Sequence, residues 1–399
     1  MPGESPLSMM RPPVRQVQKP TAGRARRRRW PVVAPVTIII ILALVWVWLW
    51  YYAASVADRT LAGWVEREAA AGRSYSCSSQ SIGGFPFRID ARCAEVAVEI
   101  RNQQPPYAVK AKAVTFAAEV WRPTRLIGEI TGPLALAELG QPPIMVADWL
   151  HAHLTVRGVP PDPESVSIQL DGSHVDRAGG SGETVFKANR ADLQGRIVAG
   201  SPNDHPVIEV TLHLEGATAP TLHPLLAEPI GAELDAVFRG FKNLSPKPWA
   251  DRFREMQAAG GGIEIKSLRI AQTSTIVVGS GTLSVNAQGK LDGLVRVAIA
   301  GIEHLVPLLG IDRLIAKSID RLSGSDGSAT QGTAALDRLI PGLGGALRET
   351  ANSSVVENLK KMGQPSSIDN QPAIVLPLRF VDGVIYLGML RVGEAPPLF

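Results

Sequence analysis

Residues 30–57 read WPVVAPVTIIIILALVWVWLWYYAASVA, without a charged side chain between Arg29 and Asp58. A bilayer core about 30 Å thick is crossed by roughly 20 apolar residues in helical conformation. Tryptophans and tyrosines crowd the C-terminal part of the run, at positions 46–52, where aromatic rings favour the lipid–water boundary. The stretch therefore predicts a membrane-spanning helix, and the rest of the chain is arranged on either side of it.

The charges that flank the apolar run predict its orientation. Residues 1–29 carry eight basic side chains against the single acid Glu4, and positions 26–29 are all arginine. Because strongly basic flanks stay on the cytoplasmic side, we expect a cytoplasmic tail at 1–29 and export of residues 58–399. A basic run is also typical of nucleic-acid binding. Its position beside a membrane span accounts for it here, so no nucleic-acid partner is expected.

A cleavable signal peptide is the alternative interpretation of the same stretch. Ser55, Val56 and Ala57 place small residues where a signal peptidase would need them. Against cleavage, the apolar run is about twice as long as the usual core of a signal peptide, and it ends in aromatic residues. These features favour an uncleaved signal anchor at 30–57.

The exported residues 58–399 are enough for one large domain or two ordinary ones. The chain contains 38 glycines and 31 prolines, which favours many turns between short elements over long helices. Its formal net charge is +4, but the N-terminal tail supplies the positive excess and the remainder is weakly acidic. The exported part therefore has no strong field that would attract an anionic partner.

Cys77 and Cys93 are the only two cysteines, and both follow the anchor. In an oxidising compartment, a lone pair this close in sequence usually forms a disulfide. Closing a loop of about 15 residues would contribute roughly 3 kcal/mol by the chain-entropy estimate. A reactive thiol or a metal site is the alternative, but no clustered second pair of ligands supports it.

Alternation of apolar and polar residues predicts that most of the exported chain is β-strand. The clearest segment is 207–214, in which every second residue from Ile208 to Leu214 is apolar. Similar patterns occur at 75–82, 87–100, 108–120, 151–157, 165–170, 185–196, 263–299, 374–380 and 384–390. Asp382 and Gly383 form a strong hairpin dipeptide between the last two segments. One-sided strands of this kind predict an antiparallel sheet.

Helical spacing of apolar residues predicts helical insertions at about 220–258 and 303–362. In the first region one helical face is formed by Ile230, Leu234, Val237, Phe238 and Phe241. The predicted fold is therefore α+β and β-rich. It begins with an N-terminal transmembrane helix, and a curved antiparallel sheet with amphipathic helices packed on it follows over 58–399.

Several short motifs together resemble a known family. They are Cys77, the run Gly84, Phe85, Pro86, Phe87 and Arg88, Cys93, the segment Trp121, Arg122 and Pro123, the glycine-punctuated run at 281–293, and the ending at 387–398. The chain resembles, over roughly residues 40–399, the bacterial envelope proteins known as domain of unknown function 2125. It is also distantly similar to AsmA-type envelope proteins. These have an inner-membrane helix followed by a long curved sheet, and several are implicated in lipid movement.

The resemblance implies an inner-membrane anchor and a β-rich periplasmic body with a concave apolar face. It carries over no catalytic residue. The run of residues 84–88 is the motif of functional interest. Arg88 within it has two interpretations: it binds a lipid phosphate or a partner carboxylate, or it pairs as a surface charge with Asp90. The surface pairing is favoured.

The sequence offers little for catalysis. His151 and His153 lie two apart on a predicted strand and could form a metal pair, but a solvated strand face is favoured because no further ligands follow at suitable spacing. No motif of a nucleophile elbow, a phosphate-binding loop or a zinc protease occurs. We therefore expect no cofactor, no metal and no enzymatic activity.

The sequence thus predicts a non-enzymatic, inner-membrane-anchored periplasmic protein that binds or shields a lipid-like apolar ligand in envelope maintenance. Its partners would be the membrane, crossed once, and that lipid. The alternative is an envelope scaffold that holds a partner protein and binds no ligand. A continuous apolar groove on the sheet would favour the first function, and a sheet face filled by the protein's own helices would favour the second.

Overall fold

The structure, a computed structural model, describes residues 30–159, 162–179, 182–245, 247–304, 356–388 and 390–399. The chain divides after Tyr52 into two compact units. In the first unit, large apolar side chains such as Ile39 and Trp48 are more than 60% exposed. Such a surface is unfavourable in water and suits a lipid environment.

Helix α1 (Trp30–Ala70) contains the apolar run and continues beyond it. Its most apolar window has a mean hydropathy of 2.2, and by length and composition the segment Ala34–Ala70 could cross a membrane. The helix therefore has the character of a membrane anchor or of a signal sequence. It ends before Gly72, whose φ of +83° lies in the left-handed region that glycine adopts at low cost.

Eighteen β-strands follow α1. Their bounds are β1 Arg73–Ser76, β2 Ser79–Gly83, β3 Arg88–Ile100, β4 Tyr107–Glu119, β5 Arg122–Glu138, β6 Pro143–Asp148, β7 His151–Val159, β8 Asp162–Arg177, β9 Thr184–Ser201, β10 Asp204–Ala217, β11 Ile230–Arg239, β12 Gly262–Gln272, β13 Thr275–Val285, β14 Leu291–Ala300, β15 Gln364–Ile368, β16 Gln371–Val381, β17 Val384–Leu387 and β18 Leu390–Glu394. A second helix, α2 (Trp249–Ala258), lies between β11 and β12.

The strands form one sheet in which every pairing is antiparallel, and most pairings join strands that are consecutive in the chain. At two places, two short strands lie end to end along the same edge of one longer strand. β1 and β2 both pair with β3, and β15 and β17 both pair with β16. In the same way, β6 and β7 both lie between β5 and β8. The predicted β-rich, antiparallel architecture behind an N-terminal apolar helix is confirmed.

The hairpin predicted at residues 382–383 is also present. Val381 pairs with Val384, and the two residues between them, Asp382 and Gly383, have φ values of +50° and +78°. Positive φ at both central positions is typical of the tight turn whose twist matches that of the flanking strands.

The helical insertion predicted at about 220–258 is mostly wrong. Only a short 3-10 helix, Pro224–Leu226, and α2 are helical there, and β11 occupies the segment predicted as a helix. Apolar residues also occur at every second position of β11, from Ile230 through Leu234 to Phe238, which is the spacing of a strand. Hydrogen bonding to β10 on one side and β12 on the other stabilises the extended form. Of the second predicted insertion, residues 356–362 are helical and 305–355 lie outside the described residues.

Two helices cover parts of the sheet. Residues 356–362 place Leu359 on Val297 and Leu376, and all three side chains are buried. Helix α2 buries Met256 against Phe241 and Val285. Both clusters involve the C-terminal strands.

A line of backbone irregularities crosses the sheet from β3 to β10. Glu95, Gly172 and Gly216 have φ values of +48°, +60° and +61°. Leu150 lies over Gly172 and Asn189 over Gly216, where an added Cβ would approach those side chains to 2.8 and 2.4 Å. Because such irregularities interrupt the regular alternation of side chains, the line separates two regions of the sheet.

Truncating the core should destabilise the fold strongly. Leu376 is fully buried beneath Leu359, so Leu376→Ala should lower the free energy of unfolding by about 2–5 kcal/mol through lost burial and the cavity that remains. Leu222 is 70% exposed, and Leu222→Ala is the matched control, with a change within about 0.5 kcal/mol. Urea unfolding of both variants measures the difference. Equal losses would contradict this account of the core.

Candidate functional site

The strand register brings apolar side chains of consecutive strands side by side on one face of the sheet, the apolar face. One row crosses six strands, and we name it the leucine row. Its members, in spatial order, are Leu154, Ile168, Leu193, Leu212, Leu234 and Leu268. With about 4.8 Å between neighbouring strands, the row is about 24 Å long.

Two further rows flank the leucine row on the same face. One consists of Val156, Val166, Gly195, Val210, Ala236 and Ile265, and the other of Ala152, Leu170, Ala191, Leu214, Ala232 and Ile270. Every side chain in them is aliphatic or absent. The apolar face is therefore a continuous strip three residues wide across β7 to β12.

The cover of the apolar face is uneven. Towards the C-terminal strands, the described helices bury it in the two cores already given. Within the leucine row, Leu193 is 42% exposed, and Ile168, Leu212 and Leu234 are partly exposed. An apolar patch that is continuous and accessible is typical of a binding surface.

The opposite face of the same strands is polar and contains a groove. A cavity of about 460 Å³ lies between two polar rows and is lined by Asp192, Gln194, Thr211, His213 and Glu233. A second cavity, also of about 460 Å³, continues across β12 to β14 and is lined by basic side chains, among them Lys266, Arg269 and Arg296. The sheet thus separates an apolar surface from a charged one.

An ion-pair network centres on Glu209 on the polar face. Its carboxylate lies 2.5 Å from both Arg196 and Lys266, and the residue is 6% exposed. Hydrogen bonds from Lys266 and Arg196 hold the pKa of Glu209 below its usual range, although desolvation opposes them. The network ties β9 and β12 to the intervening β10 through charge-assisted hydrogen bonds.

Cys77 and Cys93 are joined in a disulfide, with their Cα atoms 5.6 Å apart. Cys77 lies in the break between β1 and β2, and Cys93 lies on β3, with which both of those strands pair. The bond therefore fastens an interrupted edge strand to the sheet. Its place points to a structural role.

The motif at residues 84–88 forms the turn from β2 to β3. The Arg88 N–H donates to the Gly84 carbonyl at 2.9 Å, and the Arg88 guanidinium pairs with Asp90 at 3.2 Å, the pairing that the sequence favoured. Gly84 has a φ of +97°, and an added Cβ would lie 2.7 Å from the Arg88 carbonyl oxygen. Only glycine fits this position without rearrangement.

The structure brings this turn together with the turn from β4 to β5, which the sequence singled out separately. The Val120 N–H donates to the Phe87 carbonyl at 3.1 Å, and the rings of Phe87 and Trp121 lie 5.9 Å apart. Sequence reasoning missed this contact. The one signal was that both segments, residues 84–88 and Trp121 to Pro123, belong to the motifs that carry the family resemblance.

His151 and His153 lie on β7 as exposed residues, with ring centroids 6.3 Å apart. Within the described residues, no group of three or more histidine, cysteine, aspartate or glutamate side chains could hold a metal ion.

Comparison with known proteins gave one match. A family model described as "Uncharacterized protein conserved in bacteria (DUF2125)" matches residues 50–396. No curated protein and no solved structure matches the chain. The matched segment includes the whole described sheet.

The Glu209 network makes a testable contribution to stability. Because the folded-state pKa is depressed, the stabilisation is present above the ordinary carboxyl pKa of 4.5 and is lost as the pH falls through the lower folded value. Glu209→Gln should therefore lower the urea midpoint at pH 7, with the deficit shrinking towards pH 3. Glu215→Gln, at an exposed position on the same strand, is the control. A deficit that is the same at both pH values would argue against the ion-pair origin.

Proposed function

The chain belongs to the DUF2125 family of uncharacterized proteins conserved in bacteria, and we propose that it is a membrane-anchored protein whose sheet binds or shields a lipid-like apolar ligand. The ligand would lie along the leucine row on the apolar face. In this proposal the protein is not an enzyme, and its role in the envelope rests on apolar contact.

The leucine row is the observation that carries the proposal. The row contains one side chain from each of six consecutive strands and is about 24 Å long, and it is accessible around Leu193. Extended acyl chains are narrow, flexible and apolar, so they suit a long strip of aliphatic side chains better than a compact ligand would. Contact with the strip gains free energy at about 25 cal/mol per Å² of apolar surface removed from water.

The anchor supports a location at a bacterial inner membrane. Helix α1 has the length and hydropathy to span a bilayer, and the basic residues 1–29 favour a cytoplasmic N-terminus. In this arrangement residues 58–399 lie in the periplasm. The Cys77–Cys93 disulfide suits that oxidising compartment.

A scaffold that holds an envelope protein is the second candidate. The observation in its favour is that the protein's own helices bury the apolar face at the C-terminal strands. A face closed in this way along its whole length would leave no room for a ligand. The two functions therefore differ in what contacts the leucine row.

Site-specific photo-crosslinking distinguishes the two functions. A photo-crosslinking amino acid in place of Leu193, in the full chain expressed in bacterial membranes, should give lipid adducts detectable by mass spectrometry. Gln194 is the matched control, because it is the next residue on β9, is also exposed, and lies on the polar face. We expect at least fivefold more lipid adduct at 193 than at 194.

The control removes the contribution of nearby bulk lipid, since both positions lie at the same height on one strand. Equal lipid yields at the two positions would count against a ligand on the leucine row. Protein adducts at 193 in place of lipid would support the scaffold.

Orientation is tested separately. A reporter enzyme that is active only in the periplasm, fused after Phe399, should be active in cells expressing the full chain. A cytoplasmic reporter at the same position should be silent. The reverse pattern would overturn the proposed topology while leaving the ligand proposal open to the crosslinking test.

A further inference from the structure

Two arginines lie directly opposite each other on neighbouring strands of the sheet, and we name them the arginine pair. Arg125 of β5 is in register with Arg157 of β7. Val156, the strand neighbour of Arg157, belongs to the apolar face, so alternation places the arginine pair on the polar face. Both side chains are exposed. Directly opposed residues of an antiparallel pair have Cβ atoms about 4.5–5.5 Å apart, so the two guanidinium groups share one region of the surface.

The charges of the arginine pair are not neutralised by the described part of the protein. Among the described residues, no carboxylate lies within 4 Å of either guanidinium. Other arginines of the polar face do have such partners: Arg196 pairs with Glu209 at 2.5 Å, and Arg239 pairs with Glu264 at 2.9 Å. Like charges placed directly opposite each other destabilise a sheet. The register therefore maintains a repulsion that the described side chains do not offset.

The acids on the same strands are engaged elsewhere or lie too far away. Glu129, the first acid on β5, is four residues from Arg125, or about 13 Å along the strand. At the start of β8, Asp162 accepts a hydrogen bond from Asn203 at 2.9 Å. Glu164 is exposed where β7 and β8 change register, and it lies more than 4 Å from both guanidinium groups. A counter-ion for the arginine pair must therefore come from outside the described chain.

The side chains around the arginine pair are uncharged hydrogen-bonding or apolar groups. Ser165 of β8 lies opposite Arg157 and places a hydroxyl group beside it. The row that flanks the pair on the polar face consists of Ile127, Thr155, Ser167 and Gln194. None of these side chains competes with an anion for the two guanidinium groups.

Positive charge extends beyond the arginine pair along the same row. Ser165 lies opposite Arg196 of β9, and Arg196 lies opposite Glu209 of β10. Lys266 also binds Glu209, so this neighbouring network contains two cations and one anion. The arginine pair thus lies beside a network with a net positive charge, and this part of the polar face attracts anions.

We propose that Arg125 and Arg157, together with the hydroxyl group of Ser165, form a binding site for a phosphate group. Arginine presents its N–H donors in a planar fork that binds phosphate oxygens in a bidentate manner. A phosphate monoester carries close to two negative charges and three acceptor oxygens at neutral pH, which matches two guanidinium groups side by side. A carboxylate has one charge and two oxygens, so it would leave half of the donors and one charge unmatched.

This site goes beyond the proposed ligand of the leucine row and does not depend on it, because the two lie on opposite faces of the sheet. The phosphate group can be a free ion or part of a lipid headgroup, since the chemistry at the two arginines is the same. The test distinguishes these two sources.

The test is thermal unfolding of the full chain in a neutral detergent, in sodium phosphate and in sodium chloride of equal ionic strength. A ligand that binds only the folded protein raises the unfolding midpoint, so phosphate should raise it more than chloride does. In Arg157→Gln this excess should be at least threefold smaller, because one of the two forks is lost. Arg239→Gln should keep the excess and is the matched control, since Arg239 is exposed on the same face and already pairs with Glu264.

The repulsion within the arginine pair gives a second readout. In phosphate-free buffer of low ionic strength, Arg157→Gln should unfold at the same temperature as the wild type or at a higher one, because it removes an opposed like charge. A clearly lower midpoint would show that the charge is satisfied within the protein and would overturn the proposal. Arg125→Gln removes the other member of the pair and provides the same two readouts if Arg157→Gln is not obtained folded.

An equal phosphate excess in the wild type and in both variants would also overturn the site, because it would be the general effect of the salt on the folded chain. Dihexanoyl phosphatidic acid, added below its micelle-forming concentration, separates the two sources. A midpoint shift at a lower concentration than inorganic phosphate requires would assign the site to a lipid headgroup, and equal potency would assign it to a free phosphate. A glutamate-rich peptide that is more potent than both, and inactive on Arg157→Gln, would replace the phosphate group by an acidic protein partner.

Discussion

The structure depends on one constraint, which is that alternating strands in an antiparallel sheet send most of their apolar side chains to the same face. A single sheet cannot bury that face against itself, so something else must cover it. Each leucine withdrawn from water is worth about 1.5–3 kcal/mol, and the leucine row alone has five. The helix at 356–362 and α2 meet this need at the C-terminal strands. Around Leu193 we assign the same task to a lipid.

The polar face differs, because several of its charges are matched by other side chains of the protein. Glu209 accepts from Arg196 and Lys266, so a nearly buried carboxylate keeps its charge. Arg269 pairs with Asp369 at 2.6 Å in the same way. Pairs of this kind stabilise charges on the polar face with side chains of the protein alone. The asymmetry between the faces is the physical basis of the function that we propose.

Much of the fold could be predicted from local patterns, and the site could not. The alternation at 207–214 predicted β10, and the Asp382–Gly383 dipeptide predicted the final hairpin. The segment of β11 was misassigned because its apolar residues satisfy a period of four as well as a period of two, and only pairing with β10 and β12 decides between them. The leucine row and the contact of Phe87 with Trp121 depend on register between distant segments, which no local pattern contains.

Pairing in chain order also bears on how the protein is assembled. Each new strand from β3 to β14 needs only the preceding part of the chain as its template, so the sheet can grow at one edge while later segments are still being synthesised. One step departs from this order: β16 must find β14 across the intervening residues 301–363. The entropy of closing a loop rises only slowly with its length, so this delay is modest. Until that step is complete, β14 has an open edge with unpaired backbone groups, at which another chain can pair.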